Sequence, residues 1–450
     1  MRSMLKRMLV SVLFLAFLTA CSGAQTRGGI ARDHETTRED PEAQIPQPAV
    51  RDGFEFTVVR SGREGRESLE RAVRLRDMAA KEQSGVSVKY VDAADDAAAQ
   101  IAAAADYLSG EHGYCAAEGS FSHLAAPLLA KGALCPAEDF GGALGEDSLN
   151  ASLKTKNGTY FITGPIVPRS LGDVSCIAAN LETARRFSVR LPDETTLAGP
   201  GGWDALTASA SPVPRGVGIY RYGVTDRSVG IAVLGASGVS VTAKNEDEVP
   251  LVPALSRETA EALKKAASLF GDGSTAYRPD ERMPREEREH AAVATFSDPG
   301  VLYLFCKTKD IPELRDKGND IRILPYPGGA SRADSTGGTT AVILKGGDDS
   351  GVAAALGTLE ELSLRYTLPE AYDAFLSGRT RYDSDSRDAV AGMLSAPVYE
   401  LALAVAGEDG ERASDMASDA ALGDPDALIG WDLKAALIKP GVEKIFAEDP

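Results

Sequence analysis

Residues 54–108 read FEFTVVRSGREGRESLERAVRLRDMAAKEQSGVSVKYVDAADDAAAQIAAAADYL, and this stretch decides the fold. Phe54–Arg60 and Val86–Asp92 have the patterning of strands. Between them, apolar residues recur near helical spacing at Leu69, Ala72, Val73 and Ala79. Gly85 suits the end of that helix, and the alanine-rich Asp96–Leu108 predicts a second one. The order strand, helix, strand, helix predicts a right-handed α/β unit with a parallel sheet.

The first 20 residues are predicted to form an export signal. Met1–Arg7 carries three positive charges, and the apolar run Met8–Ala20 has 13 residues, too few to span a bilayer, which takes about 20. Its ending, Leu-Thr-Ala-Cys (Leu18–Cys21), resembles the bacterial lipobox. That resemblance implies that Cys21 becomes the mature N-terminus and is lipidated; an ordinary secretory signal with an incidental cysteine is the alternative. We therefore expect a protein anchored by lipid on the extracytoplasmic face of the cell membrane.

Residues 21–52 are rich in charge, proline and glycine and hold almost no large apolar residues, so they are predicted to be a disordered tether. The remaining chain is longer than one core usually supports, which favours two domains. The full chain has a formal net charge of −18. That charge argues against nucleic-acid binding, which needs clustered basic residues.

Four cysteines follow Cys21, at positions 115, 135, 176 and 306, and their spacing matches no metal or redox motif. An exported protein can form disulfides. Cys115 and Cys135 are the nearest pair and would close a loop of about 20 residues. Four isolated buried thiols are an equally good interpretation of the sequence.

Motifs of catalysis are lacking in the sequence. The four histidines include no zinc-type pair, and there is no G-x-S-x-G elbow. The glycines after Pro325-Tyr326-Pro327 lack the Lys-Ser/Thr ending of a phosphate-binding loop. We expect no enzymatic activity, no cofactor and no metal.

Three later segments resemble extracellular solute-binding proteins of ABC importers, of the sugar-binding type. The first holds Asn180, Leu181, Ala184, Pro192 and the group Trp203, Asp204 and Leu206. The second is LRDKGNDIRILPYPGG (Leu314–Gly329), which resembles a lobe-crossing segment of that family. The third, Ser350–Ala402, is the most specific, with family-like residues at Pro369, Ala371, Tyr372, Asp373, Tyr382, Asp383, Ser386 and Tyr399.

The resemblance implies an α/β, two-lobed periplasmic-binding-protein (Venus-flytrap) fold with crossover hinge strands. Lobe 1 would comprise residues 53–161 plus 325–365, and lobe 2 residues 162–324 plus 366–450. The lobes would close around a small solute, and the closed form would dock on an ABC permease. We expect a monomer with no nucleic-acid partner. A lipoprotein of the same fold used for sensing, adhesion or envelope assembly is the alternative function.

Ligand-binding residues are expected where strands end and where the chain crosses between lobes. This expectation nominates Arg60, Ser61, Glu118, Ser120, Ser122, Arg169, Tyr220, Tyr222 and Tyr303. Arg169 and the tyrosines at 220 and 222 are predicted to bridge the lobes. Sugar sites usually stack aromatic rings on the ligand, and only 6% of this chain is aromatic, so a carbohydrate is one candidate class of solute among several.

Overall fold

The structure is a computed structural model that describes residues 53–447 apart from 63–66, 147, 200, 217, 226–228, 247, 279–284, 298–299, 329–330, 377–383 and 396. The predicted signal peptide, the tether and Cys21 lie outside the described residues.

Twelve strands are found in the described residues: β1 Glu55–Ser61, β2 Ser87–Ala93, β3 Ala116–Ser120, β4 Leu134–Cys135, β5 Ser175–Asn180, β6 Tyr220–Val224, β7 Ala243–Lys244, β8 Pro250–Leu251, β9 Ala276–Tyr277, β10 Val301–Lys307, β11 Ile321–Leu324 and β12 Thr339–Leu344.

Sixteen α-helices are found in the same residues: α1 Glu67–Ser84, α2 Asp96–Ser109, α3 Ala126–Ala130, α4 Leu181–Arg186, α5 Glu194–Ala198, α6 Gly202–Ala210, α7 Val229–Ala236, α8 Arg257–Phe270, α9 Arg285–Ser297, α10 Ile311–Asp316, α11 Asp349–Leu376, α12 Ser384–Ser395, α13 Leu401–Val405, α14 Glu408–Ala421, α15 Pro425–Ile429 and α16 Trp431–Ala447.

The strands form two five-stranded mixed sheets and one small hairpin. The first sheet has the order β2-β1-β3-β12-β4, with β2, β1 and β3 parallel and β12 antiparallel to its neighbours. The second has the order β11-β5-β10-β6-β9, with β10, β6 and β9 parallel and β5 antiparallel to both β10 and β11. The predicted α/β class and two-lobed fold are confirmed.

The opening β-α-β-α unit forms as its apolar spacing and its helix-ending residues predict. The predicted apolar stripe of α1 is buried, and Gly85 ends the helix region with a positive φ of 72°. Asp95 caps α2 by accepting a hydrogen bond from the Ala98 backbone N–H, and Gly110 ends that helix in the left-handed conformation. Helix capping and side-chain burial therefore both support the predicted order of elements in this unit.

Each sheet has an apolar core. Helices α1 and α11 pack on one face of the first sheet, where Leu356 and Leu359 of α11 are buried with Phe56 and Val58 of β1. The core of the second sheet is aromatic: the Phe305 ring lies 4.9 Å from that of Phe270. Other rings stack within it, including Trp203, which is 7% exposed.

The chain passes between the two sheets at three places. After β4 it pairs briefly with β12, where the Ile162 N–H donates to the Ala341 carbonyl over 2.8 Å, before it enters β5. Between β11 and β12 it returns, and there the Ser175 N–H donates to the Arg332 carbonyl over 2.7 Å. Helix α11 makes the third passage, because it packs on α1 and later meets α10.

The expected Cys115–Cys135 disulfide is not formed, and this prediction is corrected. Both cysteines are free thiols. Strand β12 lies between them, since Ile343 pairs with Ala116 on one side and with Cys135 on the other. Two strand spacings are about 10 Å, beyond the roughly 7 Å that a disulfide can bridge.

Among the described residues, no helix has the length and apolar character needed to cross a membrane.

Candidate ligand-binding site

A cavity of about 1040 Å³ lies at the carboxyl edge of the first sheet. Strands β1, β2 and β3 are parallel, so the segments that follow them meet at one edge. Gly62 follows β1, Ala94–Ala97 follows β2, and Ser122 and His123 follow β3, and all of them line the cavity. This is the edge at which open α/β sheets bind ligands.

The other walls come from two sources. Helix α3 and the turn after it, Ala126–Gly132, form one side together with Asn157, Tyr160 and Lys345. The segment Val405–Glu408 and Ile445 of α16 form the other side. Because α14 packs on α7, α8 and α16, this second side belongs to the helices of the second lobe.

The cavity is lined by more apolar than polar surface, and it also contains charged side chains of both signs. Asp95 and Asp96 lie at the start of α2, and Glu408 lies at the start of α14. Lys131 and Lys345 lie near the carboxyl end of α3. Among the described residues that line the cavity, Tyr160 is the one Phe, Trp or Tyr, and burial raises the pKa of its hydroxyl.

Backbone contacts fix the edge of the cavity. The Gly62 N–H donates to the Ala93 carbonyl over 2.7 Å, and a Cβ on Gly62 would lie 2.6 Å from that oxygen. The Asp96 carboxylate accepts a hydrogen bond from the Ser120 N–H over 3.2 Å, which ties the start of α2 to the end of β3. The two loops therefore hold each other in place.

One carboxylate of the second lobe contacts the first lobe beside the cavity. The Ser122 hydroxyl donates to Glu411 Oε1 over 2.6 Å, and His123 Nε2 lies 3.1 Å from the same oxygen. Ser122 and His123 belong to the π-helical turn Phe121–Ala125 after β3, and Glu411 belongs to α14. This contact joins the lobes at the cavity.

Of the residues nominated from the sequence, Ser122 lines this cavity. Ser61 and Ser120 lie close to it but are buried, with 2% and 0% exposure. The Ser120 hydroxyl accepts a hydrogen bond from the His123 N–H over 3.2 Å. These two serines shape the loops instead of facing the cavity.

A separate ion cluster lies on the face of the first sheet that packs against α1. It contains Arg60, Glu118 and Arg169. Arg60 Nε donates to Asp92 over 2.6 Å, and Arg169 Nη2 donates to Glu70 over the same distance. Arg169 lies 3.8 Å from Glu118. Burial raises the pKa of Glu118 although the arginines oppose it, whereas hydrogen bonds from the arginines outweigh burial and lower the pKa of Glu70.

These three residues are not among those that line the cavity, and for Arg60 and Glu118 the direction of the side chains gives the reason. Side chains alternate along a strand, and Arg60 and Glu118 pair directly across β1 and β3, so both face α1. Glu118 was expected where a strand ends, but β3 begins at Ala116 and holds Glu118 in its middle. Arg169, which follows the first crossing of the chain, pairs with Glu70 of α1 and so joins residues of the two proposed lobes, but at a place away from the cavity.

The three tyrosines belong to the second sheet and do not line the cavity. Tyr303 is fully buried and its hydroxyl lies 2.7 Å from that of Ser209. Tyr222, which is 3% exposed, pairs with Tyr303 across the strands, with rings 6.5 Å apart. Tyr220 is half-buried against Tyr277. The bridging role expected of Tyr220 and Tyr222 is therefore corrected, because their contacts are within the second lobe.

A buried ion pair at the crossovers was missed by sequence reasoning. Lys307 Nζ lies 2.7 Å from Asp334 Oδ2, with side chains 2% and 5% exposed. Asp173 lies beside them and accepts a hydrogen bond from the Thr339 N–H over 2.8 Å; burial raises the pKa of its carboxyl. The three residues join β10 to two of the crossing segments, and no local sequence pattern links them.

Comparison with known proteins supports the same architecture. No protein-family model matches the chain, and no curated protein does. Solved structures do match. A cyclic α-maltosyl-1,6-maltose binding protein from Arthrobacter globiformis is 14% identical with a TM-score of 0.60, covering 87% of this chain and 99% of that one.

Two further solved structures are similar. An ABC substrate-binding protein from Listeria monocytogenes, in complex with cycloalternan, is 14% identical with a TM-score of 0.57, covering 86% of this chain and 99% of that one. The galacto-N-biose-/lacto-N-biose I-binding protein of an ABC transporter from Bifidobacterium longum is 13% identical with a TM-score of 0.56, covering 88% and 98%. The chain thus has the two-lobed fold of these solute-binding proteins.

Proposed function

We propose that the protein is a lipid-anchored extracytoplasmic receptor that binds a small polar solute and delivers it to an ABC permease. The observation that carries this proposal is the cavity between the carboxyl edge of the first sheet and the helices of the second lobe. Its volume of about 1040 Å³ would hold an oligosaccharide-sized molecule. The proposed lobes are residues 53–161 plus 325–365 and residues 162–324 plus 366–450. The assignment of β12 to the first sheet and of β11 to the second supports this division.

Carbohydrate is the class of solute that we favour. The similar proteins from Arthrobacter globiformis, Listeria monocytogenes and Bifidobacterium longum bear the names of oligosaccharide binders or hold one. Carboxylates and amides such as Asp95, Gln100, Asn157 and Glu408 line the cavity and can pair with hydroxyl groups. Because Tyr160 is the one Phe, Trp or Tyr among the described lining residues, this site would select its solute through hydrogen bonds and aliphatic contacts more than through ring stacking.

Binding would act through a shift of population. A solute that contacts both Asp95 of the first lobe and Glu408 of the second gains contacts that exist only when the lobes are closed. A solute that binds both states equally would shift nothing. The closed form would then be the one that the permease recognises, and the lipid anchor would keep it near the permease.

Titration calorimetry against a panel of neutral mono- and oligosaccharides, polyols, amino acids and short peptides tests the proposal. For the solute that binds, Gln100→Ala and Asn157→Ala should weaken affinity by about 5- to 150-fold, the effect of losing one or two hydrogen bonds to buried partners. Lys264→Ala on the exposed face of α8 is the control and should bind as wild type. Binding that is unchanged in both cavity variants would refute this site.

The anchor is tested separately. Cys21→Ala should release the protein from membranes into the aqueous phase of a detergent partition while its circular dichroism stays the same. Equal membrane partitioning of the variant and the wild type would contradict the lipobox prediction and leave the solute site untouched.

A further inference from the structure

Two cysteines that the fold brings together lie far from the cavity. Cys176 of β5 and Cys306 of β10 are directly opposite each other in the antiparallel ladder of the second sheet. Their sulfur atoms are 3.7 Å apart, and both side chains are buried. The sequence separates them by 130 residues, so the contact arises only from strand order.

The backbone at this pair already has the spacing of a disulfide. Directly opposed residues of an antiparallel ladder have Cα atoms about 4.5 to 5.5 Å apart, which is inside the range of about 4.4 to 6.8 Å found for disulfides. Side-chain rotation alone could bring the sulfurs to bonding distance. Cys115 and Cys135, in contrast, have β12 between them and cannot join without rebuilding the sheet.

We propose that Cys176 and Cys306 are joined by a disulfide when the protein folds in an oxidising compartment. The oxidant is a disulfide of the thiol–disulfide exchange class, such as oxidised glutathione. The thiolate of one cysteine attacks it, forms a mixed disulfide and releases one thiol; the other cysteine then attacks the mixed disulfide and releases the second thiol. Two protein thiols are oxidised and one small disulfide is reduced to two thiols.

The Cys176–Cys306 disulfide would form during folding and not in the native state. Burial and the neighbouring Cys176 raise the pKa of Cys306, so its reactive thiolate is scarce once β5 and β10 have packed. Before the sheet closes, both thiols are accessible. The bond would enclose β6 to β9 and restrict the unfolded chain, which stabilises the second lobe.

The test uses the full-length, non-lipidated chain, unfolded and reduced, then refolded in a mixture of reduced and oxidised glutathione. After alkylation under denaturing conditions, three of the five cysteines should be modified, and the tryptic peptides 170–185 and 289–307 should be found linked. A fully alkylated chain, or a link between Cys115 and Cys135, would overturn the proposal. Because the peptides are mapped on the wild type, this outcome does not depend on any variant folding.

Melting temperature gives a second readout. Reductant should lower the Tm of the oxidised wild type by about 5 °C, as the loss of a stabilising cross-link does in a chain of this size. The same drop is expected for the Cys115→Ala/Cys135→Ala variant, and none for Cys176→Ala/Cys306→Ala. An equal response of all three proteins to reductant would contradict the assignment.

Discussion

Lys307 and Asp334 show at the residue scale how the two lobes are joined. Lys307 ends β10, Asp334 lies in the segment between β11 and β12, and their ion pair is almost fully buried. Asp334 Oδ1 also accepts hydrogen bonds from the Thr336 and Gly337 N–H groups, which shapes that segment. Removing one partner of such a pair leaves a buried charge unpaired, and this costs more than the pair itself contributes.

Lys307→Met should therefore lower the free energy of unfolding by about 3 to 5 kcal/mol, measured by urea denaturation. The matched control is Lys265→Met, because Lys265 forms a 3.1 Å pair with Asp204 whose side chains are 49% and 80% exposed. This exposed pair should change stability by less than about 1 kcal/mol. Similar losses in the two variants would contradict the importance of burial at Lys307.

Asp173, beside the same pair, should make stability depend on pH. Burial raises the pKa of its carboxyl, and the charge of Asp334 adds to the rise. Between the unfolded and the folded pKa the native state holds a proton that the unfolded chain has lost, so stability falls as pH increases above about 4. The Asp173→Asn side chain can still accept the hydrogen bond from the Thr339 N–H. Because it does not ionise, the variant does not lose stability as the pH rises.

The stability advantage of Asp173→Asn over wild type should thus grow from pH 4 to pH 7 in urea titrations. Asp334→Asn is the comparison in the same cluster, and it should lose stability at pH 7 because Lys307 then lacks its carboxylate. Equal destabilisation of both variants at every pH would show that burial does not raise the pKa of Asp173.

At the scale of elements, α7 and α14 pack with their backbones in close contact. A Cβ on Gly230 of α7 would lie 2.4 Å from the Ser418 Cα of α14. Gly392 of α12 is also helical but has open space around it. The two glycines therefore separate the effect of close packing from the helix propensity of glycine.

Gly230→Ala should lower the free energy of unfolding by about 1 to 3 kcal/mol, because the helices must move apart. Gly392→Ala should instead raise it by up to about 1 kcal/mol, since alanine favours a helix interior. Thermal unfolding of both variants measures the difference. Stabilisation by both substitutions would show that α7 and α14 can separate at little cost.

The sequence predicts elements better than it predicts contacts between them. The helix stripe of α1 and the strands around it follow from periodicity, which is local, and the buried residues Leu356 and Leu359 of α11 do so as well. Glu118 was expected after the end of a strand, whereas β3 runs from Ala116 to Ser120 and contains it. The end of a strand is set by its partners in the sheet, so local pattern alone does not fix it.

The candidate site was predicted less well, for reasons of topology. Tyr222 and Tyr303 lie on central strands with both faces covered, where no alternation distinguishes a core residue from a ligand contact. The pairing of Cys176 with Cys306, and the separation of Cys115 from Cys135, depend on strand order. Strand order is set by packing between distant segments, and spacing in the sequence does not reveal it.

At the scale of the whole molecule, a polar contact between the lobes lies directly beside the cavity. Glu411 of α14 accepts the hydrogen bond of Ser122 and contacts His123, both from the first lobe. These side chains are partly exposed, so the contact contributes about 1 kcal/mol, less than a buried bond to a charged group would. That is enough to change the ratio of closed to open forms about fivefold.

Glu411→Ala should therefore shift the protein towards the open form and weaken solute binding by up to about fivefold. Small-angle X-ray scattering should show a larger radius of gyration without solute, and saturating solute should restore the wild-type value. Asp409→Ala is the control, because it removes the same charge from the same helix while its carboxylate pairs with Arg412 of α14, 2.6 Å away. Unchanged scattering and affinity in Glu411→Ala would show that this contact does not govern closure, whereas a change of equal size in Asp409→Ala would assign the effect to charge at the start of α14.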